Sequence, residues 1–413
     1  MPPLPTIDEP LTVIDADEHH WREYCELAAR SYGQPIADIT ALYDHTDTRV
    51  AVRGGRVVAG GIGMLIPQFF GGRPVPSACM ALGCVAPEER GSQLAVHMLT
   101  ERTRPLQEQG AVLTTLWTTS TGYAHRAGWE APVPVFTWSL PTDELKRSFD
   151  NGTVVDTEVE GEVTAEVGAE VTVAHGTSPD TAALQRELAA RWNGPLLRPH
   201  WWDPWKQHKL GLVSYRFHRR GHRPAGLLSM AFTDHPTEGT RIVVHDFAAA
   251  DHDIARAMFA FLGRHNSRVQ TVEFQRTGLP PHPQLPHHLR RAGAGAAHVR
   301  HPWMLRVLDL QAAIRLRGWP AHLDLTLPLE IDTDHGGPGE RFTLRIVSGA
   351  GELVPSTRAG RVRLTRRQFA VWYSGGYRTV TAAAMAGVLG DPTDLTSLVG
   401  STAEREPWLP DHF

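Results

Sequence analysis

Cysteine is scarce in this sequence. Three occur in 413 residues, Cys25, Cys79 and Cys84. The set is odd in number and has no Cys-x-x-Cys spacing. That excludes a disulfide-stapled scaffold and fits a reducing cytoplasm, the expected location. Long apolar runs are also missing. No window of ~18 apolar residues is available to span a bilayer, and the opening MPPLPTIDEPL has neither a basic n-region nor an apolar h-region. Neither export nor a membrane partner is expected. There is no excess of positive charge: 41 Lys and Arg stand against 45 Asp and Glu, a net −4. A nucleic-acid partner would need a basic stripe, and none is visible. The arginines fall in short clusters, Arg219–Arg220, Arg290–Arg291 and Arg366–Arg367, which read as solvated surface. No repeat array is visible either.

What is present is an ordinary globular balance, 41% hydrophobic and 21% charged. It is enough to bury several cores; at roughly 100–200 residues per domain, two to four domains are expected. The first stretch reads as a strand (11–14), then a helix with Trp21, Tyr24, Cys25, Ala28 and Ala29 at 3–4 spacing. A hairpin about Gly54-Gly55 follows. Strand 77–85 is broken at Ala86-Pro87, and a helix is expected over 88–109. Strand 111–119 leads to the loop STGYAHRAGW and to a strand at 133–140. Residues 150–170 hold seven acids and no Lys or Arg, with valines alternating; this reads as a charged edge strand. Residues 180–300 repeat an α/β order around a Trp-rich turn, WNGPLLRPHWWDPW. The last segment alternates strands and helices. The fold class is mixed α/β, with domains expected at 1–145, 146–300 and 301–413.

Two side constellations carry little. His218 and His222 have i,i+4 spacing, but Gly221 between them argues for a turn, so no metal is expected there. His282, His287 and His288 lie in a Pro-rich loop and read as solvated.

Three stretches resemble one family. They are MALGCVAPEER with LWTTSTGYAHRAGW, then NGPLLRPHWW with RIVVHDFAAADHDIARAMFAFL, then HPWMLRVLDLQAAIRLRGW with YSGGY and the ending PWLPDHF. In this order they resemble the Eis (enhanced intracellular survival) acetyltransferases: tandem GNAT-like domains followed by a sterol-carrier-protein-like domain. The resemblance implies a CoA-free second domain, a homo-oligomer up to a hexamer, and a C-terminal carboxylate, here that of Phe413, serving as general base in the first domain.

Acetyl transfer needs a cradle for the CoA pyrophosphate, made by a strand, a turn and a helix N-terminus. Aligned on Val85-Ala86-Pro87, only Arg90 matches the family's arginines. Gly91 and Ser92 stand in place of the others, Gln93 replaces a close-approach glycine, and Glu88 and Glu89 add like charge. A register slip, with Gly91 making the turn, is the other reading. The general-acid tyrosine position falls on Ala124, with Tyr123 one residue early and His125 a second proton-handling group. The expected site is thus Phe413, Tyr123 and His125 for catalysis, Ser120, Trp117, Gly83 and Cys84 for substrate, and Val85, Arg90 and Gly91 for any cofactor. A terminal carboxylate, ordinarily near pKa ~3.5, acts as a positioned anion for an ammonium or as a base if burial raises it.

Two of the three requirements look altered, so the leading expectation is a CoA-independent biosynthetic enzyme, using no cofactor, that cyclises a small amine substrate with loss of a leaving group. The alternative is an N-acetyltransferase of small amines that uses acetyl-CoA. A third reading is a non-catalytic subunit assisting a small partner protein.

Overall fold

The computed structural model describes residues 10–33, 40–149, 155–157, 171–176, 178–219, 221–235, 239–275, 278–281, 289–291, 293–333 and 338–413. The chain divides into two units. The first comprises Met1–Val133, His301–Pro407 and Phe413; the second comprises Pro134–Arg300 and Trp408–His412.

The first unit contains two larger sheets and a two-stranded one. One is formed by β1 (Thr12–Asp15), β2 (Asp47–Arg53), β3 (Arg56–Leu65), β6 (Ser77–Val85), β7 (Leu113–Trp117) and β16 (Trp303–Val307), in that spatial order. The small hairpin β4 (Gln68–Phe70) and β5 (Arg73–Val75) leaves it between β3 and β6. Helices α1 (Glu18–Tyr32) and α2 (Leu94–Glu108) pack on β3 and β6. Helix α1 forms where the periodicity places it. Asp17 caps its first turn through the His20 amide at 2.9 Å, and Gly33 ends it at φ 69°. A short α3 (Thr121–Arg126) follows β7. Ala78, Met80, Leu99, Leu106, Leu116, Ala124 and Trp129 form the core there.

The second sheet of this unit has β17 (Asp324–Asp332), β18 (Glu340–Val347), β19 (Ala350–Pro355) and β20 (Val362–Thr365) in the order β19-β18-β17-β20. After β20, a capping box of Thr365 and Gln368 opens the helix Arg366–Ser374. This helix buries Phe369, Trp372 and Tyr373.

The second unit is built on one sheet of eight strands. Its central members are β8 (Phe136–Pro141), β14 (Thr271–Phe274), β13 (Gly239–Ala249), β12 (Gly226–His235) and β11 (Val213–Arg219), with β15 (Ala296–Val299) at the edge beside β8. Helix α4 (Thr142–Phe149) follows β8 and packs on α7 (His252–Gly263), while α5 (Pro179–Ala189) lies against β12 and β13. Helix α7 is apolar on nearly every face, and its Phe259 packs on Phe149, Phe247 and Phe274. Of the acidic stretch 150–170, only Val155–Thr157 lies within the described residues, as the edge strand β9, parallel to β10 (Val171–His175). His282, His287 and His288 lie outside the described residues.

The structure departs from the sequence reading in several places. The strand expected to close the first domain, Phe136–Pro141, joins the second unit's sheet beside β14. The strand expected to open the third domain, Trp303–Val307, completes the first sheet beside β7. Neither exchange can be read locally, because a strand's own pattern does not name its partner. The helix expected from residue 88 begins at Leu94, since Gly91 and Gln93 adopt left-handed backbone and break it. The end of the Trp-rich turn, from Trp202, opens a helix, α6 (Trp202–Leu210). No described helix is long and apolar enough to cross a membrane.

Candidate functional site

The site of the first unit begins with strand pairing. β6 runs parallel to β7 only over Ser77–Met80 and Leu113–Leu116. Beyond Met80, β6 continues to Val85 with β3 as its partner, and the two parallel strands part. Such an opening at the carboxyl ends of parallel strands is where α/β folds bind ligands. The β3–β6 register also slips between Gly60 and Ile62, and Leu82 takes φ 48°. At this bulge, carbonyls of both β3 and β6 accept from side chains.

Three side chains take up those carbonyls. Arg102, from the middle of α2, donates through Nη2 to Ile62 O and Ala81 O, both at 2.6 Å. Tyr24 donates to Leu82 O and Tyr32 to Gly83 O, each at 2.8 Å. Both tyrosines come from α1, two helical turns apart. Arg102 is buried, has no ion-pair partner among the described residues, and leaves its Nε unpaired. It fits because Gly61 and Gly83 have no side chains: a Cβ on Gly61 would lie 2.5 Å from each of its terminal nitrogens.

This environment sets the protonation of Cys84. Burial pushes its thiol up to about 12, with the Arg102 charge offsetting only part of the effect. The group therefore stays a neutral thiol near pH 7 and is no nucleophile. Tyr32 exposes 46% of its surface, yet its hydroxyl end is enclosed, and burial pushes that phenol up to about 12. It remains a hydrogen-bond donor.

The turn after β6 is a cradle in its backbone. Among the described residues, the amides of Gly91, Ser92, Gln93, Leu94 and Ala95 donate to no protein acceptor. They lead into the N-terminus of a helix of 15 residues. Stacked free amides and the positive end of a helix dipole favour a phosphate-like anion. Gly91 has φ 91° with open space above it. Gln93 has φ 62°, the left-handed conformation that glycine supplies without strain. Both Gly91 and Gln93 thus have left-handed backbone, the shape that lets a turn approach a ligand closely. Replacing Gln93 with glycine is expected to stabilise the protein by about 0.5–1 kcal/mol in urea denaturation, with no loss of anion binding. A destabilised variant would contradict the strain assigned to Gln93.

The expected charge problem in this turn is reduced. Glu89 is buried and paired with Arg53 at 2.7 Å. Its charge is neutralised within the fold and does not face the turn. Arg90 is exposed and makes no ion pair among the described residues. Val85 is the last residue of β6, paired with Ala59.

Helix α3 separates two of the expected catalytic residues. Tyr123 is half-buried against the first-unit core. His125 points elsewhere: its Nε2 lies 3.1 Å from Glu130 Oε1, and Glu130 also accepts from Arg367 at 3.2 Å. Two residues along a helix turn a side chain by roughly 200°, so one face of α3 could not present both. The structure places His125 beside Glu130, turned away from the side of α3 that carries Tyr123. Ala124 is fully buried beside Met80, Leu116 and Trp129. Ser120, exposed at the start of α3, exchanges hydrogen bonds with Thr118 at 2.9 and 3.0 Å. Trp117 ends β7 opposite Trp303.

Sequence reasoning does not find Tyr24, Tyr32 and Arg102 as site residues. The Tyr24–Tyr32 spacing puts both on one helix face, but a tyrosine pair at that spacing reads first as core. Arg102, within a charged helix, gives no signal.

The chain end is held on the second unit through His412. Trp408 donates its amide to Asn193 O at 2.8 Å and meets the Trp192 ring edge-on. Asp411 accepts from Leu196 N at 2.8 Å and pairs with Arg198 at 2.7 Å. Lys206 donates to His412 O. The last residue, Phe413, is buried and belongs to the first unit. Burial pulls the Lys206 ammonium down to about 7. Between pH 7 and the ordinary lysine value, the unfolded chain then carries a proton that the folded one does not, so this residue makes stability rise with pH. Comparing wild type with Lys206→Met by urea denaturation from pH 7 to 9 is expected to show a flatter slope in the variant. Equal slopes would contradict the lowered ammonium. No cluster of three potential metal ligands occurs among the described residues.

The first unit thus combines an open parallel strand pair, a bulged strand and a turn of free amides at a helix N-terminus. Family models described as acetyltransferase (GNAT) domains match residues 12–131 and 194–307, and a sterol carrier protein domain matches 310–410. The chain is a tandem GNAT-fold protein with a sterol-carrier-type domain, the architecture of GNAT-fold acetyltransferase enzymes. No curated protein matches the sequence. Among solved structures, a GCN5-related N-acetyltransferase from Anabaena variabilis is 19% identical with a TM-score of 0.82, covering 98% of this chain and 100% of that one. Another, from Kribbella flavida, is 25% identical with a TM-score of 0.78, covering 98% and 99%. Eis1 from Mycobacterium abscessus is 19% identical with a TM-score of 0.73, covering 98% and 100%. Eis is thus one of several comparably distant relatives, and the resemblance holds at the level of the GNAT fold.

Proposed function

We propose that this protein transfers an acetyl group from acetyl-CoA to a small amine. The observation that carries the reading is the run of unpaired amides from Gly91 to Ala95 at the N-terminus of α2. That backbone suits a pyrophosphate whatever side chains the turn carries. The altered loop sequence points to CoA-independent cyclisation. The retained left-handed backbone at Gln93 removes the main reason for that reading and favours acetyl transfer.

In this mechanism acetyl-CoA supplies an activated acyl thioester. The turn amides and Arg90 hold its pyrophosphate. The Phe413 carboxylate would bind the ammonium of the substrate and take one proton; the neutral amine would then form the C–N bond at the thioester carbonyl as the C–S bond breaks, and the second proton shed by nitrogen would restore, through solvent, the one given up to the thiolate. Tyr123 supplies the proton to the departing thiolate. Arg102 adds a fixed positive charge behind the bulged β6, and its field favours negative charge developing on that side of the strand. Cys84, neutral and buried, shapes the wall and does no covalent chemistry.

Calorimetric titration with acetyl-CoA tests this. Binding in the micromolar range is expected, weakened by at least tenfold in Gly91→Asp, which sets a carboxylate among the amides. Absence of binding at millimolar acetyl-CoA would overturn the proposal. Removal of Phe413 is expected to abolish amine acetylation while acetyl-CoA binding persists; unchanged turnover would reject the role of the terminal carboxylate.

A further inference from the structure

The second unit repeats the strand geometry of the first but not its cradle. β13 pairs with β14 only over Arg241–Val244 and Thr271–Phe274. Beyond Val244, β13 runs on to Ala249 with β12 as its partner. A cavity of about 190 Å³ lies along this stretch, with Asp246, Phe247, Ala248 and Ala249 in its wall. For comparison, a cavity of ~150 Å³ suffices to bind benzene in a protein core. The lining is largely apolar and aromatic: Leu188, Trp192, Phe247, Phe259, Leu279 and Trp408 belong to it.

An acyl-CoA does not suit this opening. Asp251 caps α7 by accepting from the Asp253 and Ile254 amides, both at 3.1 Å. A carboxylate therefore occupies the helix end where a pyrophosphate would have to sit. Arg219 pairs with that carboxylate at 3.1 Å, so it too is engaged.

The charges that line the cavity balance, Arg191 and Arg198 against Asp246 and Asp251. Each is also engaged within the fold. Arg198 pairs with Asp246, and with Asp203 at 3.0 Å and Asp411 at 2.7 Å. Arg191 donates to Ala250 O at 2.7 Å and pairs with Glu187 at 3.0 Å. A charged ligand would find no free counter-charge and would give up its hydration to enter an apolar chamber. A neutral ligand escapes that cost, and burying its apolar body is favourable.

One buried polar side chain is left over. Gln185, on α5, lines the cavity and is 8% exposed. Its carboxamide has no hydrogen-bond partner among the described residues. An unpaired buried amide is costly, and a ligand with one hydroxyl or carbonyl group would satisfy it.

We propose that this cavity of the second GNAT-like unit binds a small neutral molecule, an aromatic body carrying one uncharged hydroxyl or carbonyl group, with Gln185 as its hydrogen-bond partner. Benzyl alcohol, benzylammonium and benzoate are suitable probes of similar size, titrated into the full chain and read by ligand-observed NMR. Benzyl alcohol is expected to bind about tenfold or more tightly than either ion. Gln185→Leu is expected to weaken benzyl alcohol about three- to tenfold and to leave toluene, which lacks the hydroxyl, unaffected. Ala248→Phe fills part of the cavity and is expected to weaken benzyl alcohol by about tenfold or more. An ion bound as tightly as the alcohol, equal losses of benzyl alcohol and toluene in Gln185→Leu, or unchanged binding in an Ala248→Phe that keeps the wild-type urea midpoint would each overturn the proposal. So would the absence of benzyl alcohol binding at tens of millimolar.

Discussion

Tyr123→Phe is expected to lower the turnover of amine acetylation by about 10²- to 10³-fold while acetyl-CoA affinity stays unchanged. The hydroxyl is the only part removed, so the half-buried ring keeps its packing against the first-unit core. The loss falls on the step in which the thiolate departs and needs a proton. Tyr32→Phe is the informative control. Tyr32 donates to Gly83 O at 2.8 Å, and its loss costs one neutral hydrogen bond, about 1 kcal/mol, in stability without a comparable fall in turnover. Wild-type turnover in Tyr123→Phe, measured with saturating acetyl-CoA, would remove Tyr123 from the mechanism. A tyrosine at the expected position cannot substitute for it. Ala124 is wholly enclosed by Met80, Leu116 and Trp129, and a ring there would overpack the core.

Gly61→Ala is expected to destabilise the protein by about 3 kcal/mol, far beyond the usual cost of a methyl group. The new Cβ would lie 2.5 Å from both terminal nitrogens of Arg102. The guanidinium must then withdraw, abandoning Ile62 O and Ala81 O. Each is a buried acceptor, and each loses a charge-assisted bond. Adding Arg102→Met should relieve part of the damage, because the collision disappears with the guanidinium. The double variant is expected to be more stable than the sum of the two single losses implies. Urea denaturation of all four proteins checks this. A Gly61→Ala loss below 0.5 kcal/mol, or strict additivity, would show that Arg102 is not wedged between β3 and β6.

Several parts of the site are legible in the sequence. The bounds of β6, residues 77–85, can be read because its run of small and apolar residues ends sharply at Ala86-Pro87. The place of the turn is legible too, with Gly91 and Gln93 as its candidate close-approach residues. Its consequence is not. A glutamine at such a position suggests a lost cradle, yet the surrounding packing holds it at φ 62°, as tertiary contacts can hold one strained residue. The charge of Glu89 misleads for a similar reason. Its sequence neighbours place it by the phosphates, whereas Arg53, 36 residues earlier, takes it into the fold.

The strand exchange is beyond local reading. Phe136–Pro141 and Trp303–Val307 have the composition of strands, and both form. Which sheet each joins depends on edges created by residues more than a hundred positions away.

The sequence alone determined the mixed α/β class and the order of tandem GNAT-like segments and a sterol-carrier-type segment. Those follow from periodicity, breakers and motif order, which are local properties of a chain. Only the tertiary structure decided which strands share a sheet, that Arg102, Tyr24 and Tyr32 meet at the bulge of β6, that His125 is engaged by Glu130, and that Asp411 joins Arg198. Those pairings span up to 213 residues, and burial and opposite charge select such partners only once the cores have formed.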